Sequence, residues 1–116
     1  MKDFDTLEPG ALVKFKIDGV EHEVREPSEL TCCRYEAART RGARWDEHGK
    51  FLGIQDEDQY VRARLILLGG CLARVGEKGP VGEDAVQAMP RRLTAGVFAE
   101  ALRLYDAAND GDAAKN

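Results

Sequence analysis

No stretch of this chain approaches the ~20 consecutive apolar residues of a membrane span. Its longest apolar run, Leu65 to Leu68, is four residues and is soon broken by Gly69-Gly70. Met1 to Glu8 alternates acidic and apolar residues and has no apolar centre of the kind a signal peptide carries. No membrane partner is therefore expected. Cysteine is scarce: three residues, two of them adjacent at Cys32-Cys33, which builds neither a disulfide framework nor a zinc quartet. A reducing, cytoplasmic setting is the expectation. Histidine is scarcer still, with His22 and His48 in no His-x-x-x-His or Glu-x-x-His pairing. No metal or cofactor is expected, and no Ser/His/Asp or Cys/His grouping proposes a nucleophile. Aromatic residues make up 7% and net charge is −4, so a general nucleic-acid or anionic-surface binder is disfavoured.

What the chain does have is ordinary globular material: 116 residues, 43% hydrophobic and 33% charged, enough for one domain with a core of its own. Its most specific signal is Phe15-Lys16-Ile17-Asp18-Gly19-Val20-Glu21-His22-Glu23-Val24. An Asp-Gly pair between alternating runs predicts a type I′ hairpin, because both residues tolerate positive φ. Folding there sets Ile17 opposite Val20, Phe15 opposite His22 and Val13 opposite Val24. The other face pairs Lys16 with Glu21 and Lys14 with Glu23, so a one-residue slip would spoil both faces.

The hairpin is expected over about 11–25, after an acidic lead-in at 1–10. Ser28 predicts an N-cap for a helix to about Arg41 with Gly42 just beyond, burying Leu30, Cys33, Ala37 and Ala38. Residues 43–55 read as a loop or minimal second hairpin anchored by Trp45 and Phe51. Asp56 opens the strongest helix, with Gln59 three positions on and acids at the positive end of the dipole. That helix is expected to reach Val75. A short helix over 82–88 and a last one from Pro90 to about Ala108 follow, with a frayed tail at 109–116. The fold class is α+β: an N-terminal β-hairpin and three to four helices.

Several groups invite chemistry and mostly read as structure. Cys32-Cys33 lies near a helix N-terminus beside Arg34, which leaves a thiol-based redox protein as one alternative; the structural reading is a small buried Cys33 and a half-exposed Cys32. Asp46, Glu47 and His48 are consecutive loop residues that point in different directions. Gly69-Gly70, with Gly76, Gly79 and Gly82, lacks the Lys-Ser/Thr of a phosphate loop and reads as close approach of a neighbouring element. The arginines (11, against 6 lysines) are interleaved with acids and read as a salt-bridged surface.

The interaction argument is stronger. Between Leu65 and Leu72 the central helix carries no charge on any face, so it must be covered all round. Few elements are available to cover it, and a lone hairpin has open edges. A protein partner is therefore expected, with self-association and a helical client as the two forms. The partner-binding residues expected are Val61, Leu65, Leu68, Leu72, Val75, Val97 and Leu104.

The segment Phe15 to Ser28 resembles the opening of many tail assembly chaperones of long-tailed bacteriophages, small proteins that begin with such a hairpin and continue as helices. Leu65-Ile66-Leu67-Leu68-Gly69-Gly70-Cys71-Leu72 and then Val81 to Pro90 are similar to the same family's later layout. The resemblance implies a non-enzymatic protein that coats a helical tape-measure client and recruits tail-tube subunits through apolar helix faces. A small structural or adaptor subunit of a virion or contractile machine is the neighbouring alternative.

Overall fold

The Asp18-Gly19 turn forms with φ of 50° and 80°, and all five expected cross-strand pairs are present between β1 (Val13–Ile17) and β2 (Val20–Val24). The computed structural model describes the backbone of residues 13–115 and the side chains of residues 16–109. The acidic lead-in at 1–10 and the expected start of the hairpin at Ala11 lie outside the described residues. The architecture is α+β, in the order β1, β2, α1 (Glu29–Gly42), β3 (Ala43–Trp45), β4 (Phe51–Ile54), α2 (Glu57–Cys71), β5 (Leu72–Arg74), α3 (Glu83–Gln87) and α4 (Arg91–Lys115).

Helix α2 is capped as its sequence requires: the Asp56 carboxylate accepts from Gln59 N at 3.2 Å. Ser28 likewise accepts from Thr31 N to open α1. The end of α2 corrects the sequence reading. The helix stops at Cys71, and Leu72–Arg74 become a third strand antiparallel to β2, pairing Val24 with Leu72 and His22 with Arg74. One edge of the hairpin is thereby covered. Backbone bonds from Arg25 N to Cys71 O (2.7 Å) and from Val75 N to Glu21 O (3.0 Å) fix the junction. At the other end of the chain, α4 runs past Ala108 to Lys115, where a frayed tail was expected.

The core surrounds α2. Leu67, Leu68, Cys71 and Leu72 are buried together with Val24, Val86, Val97 and Leu104. Each such aliphatic side chain contributes roughly 1.5–3 kcal/mol of burial. Glycine makes the tight packing possible. A Cβ on Gly69 would stand 2.5 Å from the Gly82 carbonyl carbon and 2.6 Å from Glu83 N, and Gly82 N donates to Gly69 O at 3.0 Å. A Cβ on Gly70 would meet Thr31 Cγ2 of α1 at 2.5 Å. Gly69→Ala should therefore cost about 1–3 kcal/mol by denaturant titration, because backbone cannot step aside. Thr31→Ala should relieve part of the cost of Gly70→Ala and none of that of Gly69→Ala.

The same closeness explains a second correction. The buried positions of α1 are Tyr35, Ala38 and Gly42, with Thr31 half-buried, while Leu30 and Cys33 are exposed. The α1–α2 contact accepts small residues opposite glycine, so the helix turns its leucine outward.

Candidate functional site

Strands β3 and β4 form a separate two-stranded antiparallel ribbon that joins α1 to α2. Its turn is held by Asp46, whose Oδ1 accepts from His48 N and Lys50 N at 2.8 Å each, while Gly49 takes φ of 81°. The Asp46-Glu47-His48 group is thus turn structure. Among the described residues no group of three or more His, Cys, Asp or Glu is placed to hold a metal ion. The base of the ribbon is rigid: Gln55 N and Asp56 N both donate to Gly42 O, and the Gln55 amide donates to Arg41 O at 3.0 Å. A Cβ on Gly42 would lie 2.6 Å from Tyr60 Cα, so α1 and α2 meet closely where the ribbon leaves them.

On this rigid base the ribbon presents apolar side chains to water. Trp45 and Phe51 pair across the strands with centroids 5.5 Å apart, and Phe51 stacks on Tyr60 of α2 at 6.2 Å and 18°. Leu52 and Ile54 follow on β4, where the register shifts so that Leu52 has no partner across the ribbon and Ile54 pairs with Ala43. Trp45, Phe51, Leu52, Ile54, Tyr60 and Val61 are between 37% and 56% exposed. Single exposed apolar residues need no explanation, but six on one short ribbon and the adjoining helix turn make a patch.

The seven residues expected to bind a partner do not form a surface. Leu68, Leu72, Val97 and Leu104 are at most 1% exposed within this single chain. Leu65 and Val75 are half-buried, and Val61 alone stands out in water, at the edge of the ribbon patch. Ile66 and Leu67 are also enclosed, so the protomer covers its own central helix. The exposed apolar residues Phe51, Leu52 and Ile54, absent from that set, had one sequence signal: an aromatic and aliphatic cluster in a segment with no helical period.

Of the vicinal cysteines, Cys32 is half-buried as expected, while Cys33 is exposed rather than buried. Neither thiol is acidified. Cys33 Sγ donates to Glu29 Oε1 at 3.3 Å, and that bond, with the Glu29 charge, raises its pKa. Burial, followed by the Glu36 and Glu29 charges, raises that of Cys32. The helix N-terminus and Arg34 were expected to pull the other way, but Arg34 is engaged with Glu83 at 2.8 Å.

Two concavities complete the surface. A cleft of about 770 Å³ opens under the tip of the β1–β2 hairpin, lined in part by Ile17, Val20, His22, Arg74 and Met89. Two of its polar side chains are engaged: His22 Nδ1 lies 2.8 Å from Val20 O, and Arg74 is paired with Glu77. A smaller pocket of about 120 Å³ lies where α1, α2 and α4 meet beside the ribbon, lined by Tyr35, Arg39, Tyr60, Ala63, Arg64 and Phe98. Among the described residues no helix is long and apolar enough to cross a membrane. No family model, curated protein or solved structure matches this chain.

Proposed function

We propose that this protein is a non-enzymatic, protein-binding assembly factor that uses the β3–β4 ribbon, with Tyr60 and Val61, to hold a helical segment of a client. The observation that carries this reading is the patch of six large exposed apolar side chains, while Ile66, Leu67, Leu68, Cys71 and Leu72 are enclosed within the chain. Aromatic residues supply large contact area at low entropic cost, and a groove or ribbon of this kind suits the i, i+3, i+4 face of an amphipathic helix. The raised thiol pKa values at Cys32 and Cys33 speak against the thiol-redox alternative. A chaperone of the phage-tail type, with a tape-measure helix as client, is the particular form that the resemblance suggests; a virion or contractile-machine adaptor would use the same surface.

The test is a titration of the full chain with a synthetic amphipathic helix bearing leucine at i, i+3, i+4 and i+7, alongside light scattering after size exclusion. The wild type should bind the helix, and a Phe51→Ser, Leu52→Ser double variant should bind at least tenfold more weakly with an unchanged melting temperature. A monomer that binds neither this helix nor an apolar dye would refute the proposal. Self-association abolished by the same double variant would show that a second copy is the occupant.

A further inference from the structure

The pocket beside the ribbon is lined by two arginines, one from each of two helices. Arg39 of α1 packs over the rings of Tyr35 and Trp45, with its central carbon 5.2 and 5.9 Å from their centroids. Arg64 of α2 lies 4.3 Å over Phe98. Among the described residues neither has a carboxylate within ion-pair distance, although the chain as a whole carries four more negative than positive charges. Glu36, whose carboxylate accepts from the Tyr105 hydroxyl, forms no ion pair with Arg39, and Glu100 is held by Arg103 at 2.9 Å.

Arg39 Nε is buried and has no hydrogen-bond partner. An orphaned buried donor is rare in native proteins and points to something that binds there. The local field agrees: burial, and then the like charge of Arg91, push the Arg64 pKa down. A negative group entering the pocket would bring a counter-charge to both arginines that line it. Guanidinium planes held over aromatic rings are also pre-organised for a planar, two-oxygen acceptor.

We infer that the Arg39–Arg64 pocket receives an aspartate or glutamate carboxylate from the client segment that lies on the β3–β4 ribbon. The two sites are continuous. Tyr60 walls the pocket and stacks on Phe51, and Arg39 reaches from the pocket to Trp45. The volume, about 120 Å³, suits a carboxylate-bearing side-chain tip. A client would thus be read by two features at once, an apolar stripe and an acid flanking it. The inference rests on the proposed function for the identity of the client, but the pocket itself is testable without it.

Two measurements separate the two proposals. In the first, the amphipathic helix is made with glutamate flanking its leucine stripe and again with glutamine there. The wild type should prefer the glutamate helix at least tenfold, and this preference should vanish in an Arg39→Gln, Arg64→Gln double variant that still binds the glutamine helix. In the second, glutarate is titrated into the full-length protein while the side-chain Nε–H resonances are followed by NMR. The Arg39 and Arg64 signals should shift together and saturate, and those of Arg34 and Arg62 should not. Equal binding of both helices overturns the carboxylate pocket and leaves the proposed function standing. Binding of neither helix, with Arg39 and Arg64 still responding to glutarate, overturns the proposed function and retains the pocket. Glutarate that moves all arginines alike, or none, overturns the pocket.

Discussion

Truncating Leu68 to alanine is expected to lower the unfolding free energy by about 2–5 kcal/mol, the range for a leucine in a core that relaxes only partly around the void. Total stability of a domain this size is only about 5–15 kcal/mol, so much of it would be lost. Leu68 is 1% exposed and belongs to the cluster with Leu67, Val97 and Leu104. Phe51→Ser and Leu52→Ser should each stay within about 1 kcal/mol of wild type, since both side chains are about half in water. Denaturant titration separates the two cases: Leu68→Ala should move the midpoint sharply at an unchanged slope. The contrast matters because Leu68 was a candidate for partner contact. A Leu68→Ala protein as stable as wild type but unable to bind the amphipathic helix would return the docking surface to α2.

The parts of the fold that local chemistry determines could be read directly. The Asp18-Gly19 turn and the two-faced alternation around it admit one register, and Ser28 and Asp56 cap the helices they precede. The strand Leu72–Arg74 was hidden, because an apolar run covered on every side has no period that separates helix from strand. What decides it is pairing with β2, some fifty residues earlier in the chain. The enclosure of α2 was hidden for a related reason. An α2 apolar all round looked too large for the remaining elements to cover. Gly42, Gly69 and Gly70 let α1, α3 and α2 approach so closely that few elements enclose Ile66, Leu67, Leu68 and Cys71. The large exposed apolar side chains lie instead mainly on the ribbon, the segment whose sequence reads as a loop or minimal second hairpin anchored by Trp45 and Phe51. The Arg39–Arg64 pocket left no trace in sequence, since arginines from two helices converge only after folding.

Raising the pH should unfold this protein well before the chain is chemically damaged, and Cys71 and Tyr105 should set where it begins. Burial, then the charge at Cys32, push the Cys71 thiol up from its ordinary value near 9 to about 12. Burial, then the hydrogen bond that the Tyr105 hydroxyl donates to Glu36, push the phenol from near 10 to about 12. Both groups are neutral when protonated, so the folded state holds these protons more tightly than the unfolded chain does. That preference contributes its full stability below the unfolded values, near pH 9 and 10, and is lost as pH climbs from there to about 12. At about 1.4 kcal/mol per tenfold change in acidity, Cys71 alone accounts for a loss on the order of 4 kcal/mol. Urea titrations between pH 7.5 and 11 should show stability level at first and then falling. A Cys71→Ala, Tyr105→Phe double variant, each pH compared with its own value at pH 7.5, should fall much less steeply. An identical slope in the variant would mean that neither group is held as its surroundings require: Cys71 is fully enclosed, and Tyr105 packs edge-on to Tyr35 at 5.1 Å.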